Sequence, residues 1–313
     1  MKIIRLATPH SLNKKELPET IAAIGFFDGI HKGHQAVIEK AVTKAKKEGK
    51  ESAVITFHPH PSVVLKKSSN PVLYITTEEE KVKLIQQLGV DRLYIITFNE
   101  QLSRLSPEEF IKHFIIELHI THLVAGFDFT FGFKGAGNME NIGEFAKGQF
   151  TTTTVDKQQF DGEKISSTRI RKCLANGEVE EIIPLLGRPY KSIGKVIEGD
   201  KRGRKLGFPT ANLDIHDDKL LPRQGVYAVK VKYNDKYYYG MANLGVKPTF
   251  VEGQTKPQVE VYIFDFDQEI YGELLEVEWY KYIRAEKKFN GIEEIVSQLE
   301  NDEKQIREYF NLT

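Results

Sequence analysis

The feature that most constrains this chain is a change of pattern near residue 186. Before it, short apolar runs alternate with segments of helical period. After it, run follows run rich in Val, Tyr, Ile and Phe, with turn residues between them. A chain of 313 residues exceeds one ordinary core and suits two domains. The expectation is an α/β domain over residues 1–186 and a mainly β domain over 187–313, joined near Pro184 to Pro189.

In the first half, residues 21–24 form a short apolar run that reads as a buried strand. Ala36, Val37, Ile38, Ala41, Val42 and Ala45 then recur at helical spacing, with Gly49 as a stop. Residues 53–57, 93–98 and 122–125 read as further strands. Ser106-Pro107-Glu108-Glu109 opens a helix with a capping box. Such alternation predicts a parallel, Rossmann-like sheet wrapped by helices. In the second half, residues 190–197, 225–233, 236–244, 258–264 and 274–282 read as strands, with Asn234-Asp235 as a hairpin turn. They predict an antiparallel barrel or sandwich, followed by a terminal helix over about 291–310.

The 44 basic and 44 acidic side chains cancel, leaving no global field to hold nucleic acid or an anionic membrane. Phosphate binding must therefore come from local sites. The single cysteine, Cys173, excludes an intrachain disulfide and fits a cytoplasmic protein. At helical spacing with Ile170 and Leu174, it reads as a buried small hydrophobe. The N-terminus lacks the apolar stretch of a signal peptide, and no segment approaches the ~20 apolar residues of a membrane span.

Two constellations carry chemistry. The first strand runs into Gly25-Phe26-Phe27-Asp28-Gly29-Ile30-His31-Lys32-Gly33-His34, and a helix follows. The glycines allow a tight turn and close approach to a ligand, and the helix start offers free N–H groups to an anion. His31 and His34 flank Gly33 and can face one pocket, where imidazolium groups would neutralise a transferring phosphoryl centre. Taken alone, the pattern fits a surface turn about as well. Far downstream, Ile165-Ser166-Ser167-Thr168-Arg169-Ile170-Arg171 adds hydroxyls and two arginines at a helix start, which suits a triphosphate or a merely capped helix.

Together these motifs resemble the HxGH nucleotidyltransferase superfamily. Phe57-His58-Pro59-His60-Pro61 and Gly126-Phe127-Asp128-Phe129-Thr130-Phe131-Gly132 narrow the resemblance to the FMN adenylyltransferase module of bacterial FAD synthetases. The resemblance implies that His31, His34, Ser166, Ser167, Thr168 and Arg171 hold ATP phosphates, beside Gly25, Phe26, Phe27, Asp28 and Gly33. It implies a flavin site near His58, His60, Asp128 and Phe129. Phe26 departs from the Asn that many relatives carry.

The second constellation runs from Gly194 to Asn212: GKVIEGDKRGRKLGFPTAN. Its glycines and basic residues read as a solvated hairpin loop or as a loop that wraps a nucleotide through backbone N–H groups. Thr210 and Asn212 point the same way on an extended segment and offer oxygens to Mg2+. The stretch resembles the riboflavin kinase signature. That resemblance implies ATP contacts from Gly199, Lys201, Gly203, Arg204, Gly207, Phe208, Pro209, Thr210 and Asn212, with Thr210 and Asn212 on the metal. It makes Glu260 the catalytic base, where position alone would read an outward-facing strand carboxylate. Arg284 is a flavin contact or a surface ion-pair partner, and Phe289 lies in the same matching stretch.

The expectation is a bifunctional enzyme. ATP phosphorylates riboflavin to FMN in the C-terminal domain and adenylylates FMN to FAD in the N-terminal domain, both with Mg2+. Its partners are these small molecules, not nucleic acid or membrane. The competing readings are that one module alone is active, or that the chain is a flavin-binding regulator with vestigial catalysis.

Overall fold

A computed structural model describes residues 1–65, 72–199, 202–248 and 255–312. The chain divides into two compact units, Met1–Ser167 and Thr168–Thr313.

The first unit contains β1 (Lys2–Leu6), β2 (Thr20–Ile24), α1 (Lys32–Glu48), β3 (Glu51–His58), α2 (Glu78–Gln87), β4 (Arg92–Thr97), α3 (Pro107–Ile111), β5 (Ile120–Gly126) and β6 (Thr151–Val155). The sheet order is β1-β4-β3-β2-β5-β6, and every pair is parallel. β2 is buried along its whole length, which suits a central strand covered on both faces. Ala22 and Ile24 pack with Ile55, Tyr94, Phe110 and Phe114 on one face. Ile21 and Ala23 pack with Val54, Ile38, Ala41 and Ile85 on the other. α1 ends at Gly49, whose φ of 65° is left-handed. Capping boxes start α2 at Thr77 and α3 at Ser106. β1 and β6, absent from the sequence expectation, form the two edges of the sheet. β3 lies on one side of β2 and β5 on the other, so strand order reverses at β2. The end of β2 is therefore the crevice position of an open α/β sheet.

α4 (Ser167–Asn176) starts at the last residue of the first unit, and the second unit then contains α5 (Val179–Leu186), β7 (Tyr190–Ile197), β8 (Thr210–Ile215), β9 (Gly225–Tyr233), β10 (Lys236–Pro248), β11 (Thr255–Ile263), β12 (Leu274–Arg284) and α6 (Ile292–Phe310). Of the two alternatives, the barrel is found: the strands close in the order β7-β8-β11-β10-β9-β12, all antiparallel. Asn234 and Asp235 have φ of 45° and 60°, the signature of a type I′ hairpin turn. Val229, Val231, Val259, Val261, Val277 and Trp279 alternate inward, and Trp279 Nε1 donates to Ser192 Oγ at 3.1 Å. Val226, Ala228, Met241 and Phe264 face outward and pack under Ile306 of α6. Cys173 on α4 is buried, and burial pushes its thiol pKa up.

Candidate active sites

The loop after β2 is the first site. Phe27 and Ile30 take left-handed φ of 55° and 42°, which side chains with a Cβ adopt only under local constraint. Both are buried, and that burial holds the turn. Asp28 is buried too; its Oδ1 accepts from Thr76 N at 3.2 Å, and Gly29 N donates to Thr76 Oγ1 at 3.0 Å. Ser167 Oγ donates to Asp28 O at 2.9 Å, so the downstream serine motif reaches the loop.

His31 caps α1, its Nδ1 accepting from His34 N at 3.2 Å. The two imidazoles stack with centroids 3.5 Å apart and planes at 18°. Gly33 permits this, because a Cβ there would lie 3.1 Å from the His31 ring. His34 Nδ1 is buried without a hydrogen-bond partner among the described residues. Burial, with the charges of His31, Lys81 and Lys164, holds His34 well below the ordinary imidazole pKa. The imidazolium expected at His34 is therefore disfavoured.

Around this pocket, His60 meets the Phe26 ring edge-on at 4.3 Å, and His58 Nδ1 lies 3.5 Å from Glu78. Gly25 keeps room for Phe27, whose ring would be 2.9 Å from a Cβ. Asp128 pairs with Lys164 at 2.6 Å, and Phe129 stacks on Phe131. Ser166 is half-buried before α4. Thr168 is exposed and Arg171 half-buried, both on α4. Sequence reasoning missed Lys81, buried on α2, whose Nζ donates to Phe26 O at 2.9 Å.

The second site lies on the outer face of the barrel. Asn212 of β8 is the register partner of Glu260 on β11, and Glu260 is the partner of Asn243 on β10. Asn243 pairs with Val226 of β9, and Val226 with Arg284 of β12. One lateral row thus carries Asn212, Glu260, Asn243, Val226 and Arg284 on the same face. Thr210, two residues before Asn212, shares that face.

Asn212 is buried and fixed: Gln258 Nε2 donates to its Oδ1, and a Cβ on Gly199 would sit 2.1 Å from its amide nitrogen. A Cβ on Gly203 would sit 2.3 Å from Phe208 O, and Gly207 is left-handed at φ 85°. Phe208 is buried edge-on to Tyr262, Pro209 is exposed, and Arg204 is exposed on the helical turn Arg202–Lys205. Lys201 lies outside the described residues. Arg284 is clamped by Asp302 of α6, with Nε at 2.9 and 3.0 Å and a second nitrogen at 2.7 Å. The Phe289 ring lies 5.9 Å from its guanidinium. Asn243 Nδ2 donates to Glu286 Oε1 at 3.3 Å.

The FAD synthetase family profile matches residues 13–169, and the riboflavin kinase profile matches 186–310. A bifunctional riboflavin kinase/FMN adenylyltransferase of Listeria monocytogenes is 47% identical over 99% of this chain and 98% of its own. One from Bacillus subtilis is 47% identical over 99% of each. This chain belongs to that bifunctional family. A crystal structure described as a macrolide-efflux protein from Streptococcus pneumoniae shares the fold, with TM-score 0.87, 35% identity, and coverage of 98% of this chain and 99% of that one. Among the described residues of this family member, no helix is long and apolar enough to cross a membrane. The FAD synthetase match contains the stacked histidines, and the riboflavin kinase match contains the lateral row.

Proposed function

We infer that this chain makes FMN from riboflavin and ATP on its barrel, and FAD from FMN and ATP at the loop after β2. The observation that carries the reading is that one family match contains the stacked His31 and His34 at the start of α1, and the other the row Asn212, Glu260 and Asn243. We take the functional boundary at residues 186/187.

Riboflavin offers a neutral primary alcohol, so its phosphorylation needs a base. Glu260 supplies it, flanked on one face by the amides of Asn212 and Asn243. Thr210 and Asn212 carry hard oxygen donors of the kind Mg2+ takes together with phosphate oxygens and water. When bound, Mg2+ would neutralise charge on the transferring phosphoryl group. The Gly199 and Gly203 backbone closes over the nucleotide, and Arg284 and Phe289 border the flavin.

FMN brings its own nucleophile, the phosphate, so adenylyl transfer needs no base. The chain need only align two anions and offset their charge. The N-terminus of the 17-residue α1 aims N–H groups at them, while His34 and its neighbour His31 supply hydrogen bonds. Ser166, Ser167, Thr168 and Arg171 would bind the ATP phosphates, and His58, His60, Asp128 and Phe129 the flavin side.

Incubation with riboflavin and Mg-ATP, resolving FMN from FAD over time, tests the reading. Thr210→Ala or Asn212→Ala is expected to abolish FMN formation and leave FAD synthesis from supplied FMN. His31→Ala is expected to do the reverse. Loss of both activities from either change in a folded protein would sink the assignment of two sites.

A further inference from the structure

A lysine in the acidic first turns of a helix ordinarily reaches water. Lys81 of α2 does not: it is 5% exposed, beneath the loop that follows β2. Its ammonium donates to Phe26 O at 2.9 Å and lies 4.3 Å from the Phe26 ring centroid. Thr56 Oγ1 donates to the same carbonyl at 2.9 Å, so Phe26 is held from two sides. An ammonium has three donors, and among the described residues Phe26 O is the one oxygen that Lys81 bonds. A buried cation with donors to spare is costly unless an anion comes to it.

The groups that act on Lys81 come from every side of the pocket. Asp28 on the loop and Glu78 on its own helix are the negative charges that act on it. Glu78 is shared with Arg5 and His58, and His60 touches the Phe26 ring. The positive charge of Lys81 also reaches His34 on α1.

We propose that Lys81 is a positioning residue for adenylyl transfer: it braces the turn at Phe26 to Asp28 from behind and lends positive charge to the polyphosphate held in front of His34. This rests on the reading of that loop as the adenylyl-transfer site. The ammonium, not the free amine, does the work. Burial lowers Lys81 to about 8, against the opposing pull of Asp28 and Glu78. The charge is therefore present below that value and lost as pH rises through it.

The test measures kcat/KM for ATP in FAD synthesis from FMN across pH, on the full chain, with FMN formation from riboflavin in the same samples as the folding control. The unmodified enzyme is expected to lose activity above about pH 8. Lys81→Arg, whose charge does not titrate, is expected to hold its activity to about pH 9.5. Lys81→Met is expected to cost about 100-fold at about pH 7, with FMN formation unchanged. An unmodified enzyme that stays flat to about pH 9.5 overturns the proposal, as does Lys81→Met within about threefold of it. His34→Ala separates the two readings. If it abolishes FAD synthesis while Lys81→Met does not, only the lysine proposal falls. If neither change matters, the loop assignment falls.

Discussion

Gly199 shows how much one missing methyl group can decide. A Cβ there would lie 2.1 Å from the Asn212 amide, so the amide occupies the space a side chain would need. Gly199→Ala must push Asn212 out of line with Glu260. A displacement near 1 Å at a reacting group costs about 100-fold in rate. The expected result is a collapse of FMN formation with FAD synthesis from supplied FMN intact, read by separating the two products. The glycines and the Thr210/Asn212 pair were legible as motifs. The hydrogen bond from Lys81 to Phe26 O was not, because a lysine after three glutamates reads as a solvated helix face. Asn243 lies in a run that reads as a strand, but its place beside Glu260 depends on strand register, which no local pattern reveals.

At the scale of elements, the strands that the sequence disclosed are those with an apolar run: β2, β3, β4, β5 and the barrel strands other than β8. β1 and β6 escaped because edge strands need no such run; Lys-Ile-Ile-Arg-Leu and Thr-Thr-Thr-Thr-Val keep much of their length exposed. β6 is tied in by His122 of β5, whose ring nitrogens lie 2.6 and 2.9 Å from the hydroxyls of Thr151 and Thr153. Burial, then Lys44, lowers the His122 pKa below 6.5. The folded state therefore binds fewer protons there than the unfolded chain. This contribution is fully present above 6.5 and is lost as the pH falls from that value through the folded one. His34 acts in the same direction. Melting of the first unit, followed by loss of FAD synthesis, should shift to lower temperature below about pH 6.5, and His122→Gln should flatten that dependence. A slope unchanged in the variant would count against the buried neutral ring. In the barrel, Asp302 is fully buried and relies on Arg284. Arg284→Met should leave a buried carboxylate unpaired and destabilise the second unit by about 3–5 kcal/mol, measurable by urea unfolding. Trp279, the chain's single tryptophan, lies in the barrel interior and reports that transition by fluorescence.

For the molecule as a whole, the expectation is that FMN leaves one constellation as a product and enters the other as a substrate. An equimolar mixture of His31→Ala and Asn212→Ala chains should therefore make FAD from riboflavin, although neither chain does so alone. FMN should appear first and then decline, a time course that chromatography resolves. If the mixture yields FMN and never FAD, FMN does not pass between chains through solvent.

The outward aspect of the lateral row has a practical corollary. Glu260 and Asn212 stand on the barrel's exterior, while Val229, Val231, Val261 and Trp279 fill its lumen. A protein engineer could recompose the lumen to raise heat tolerance and leave turnover of the vitamin untouched, since alternate residues of each strand serve the two tasks separately.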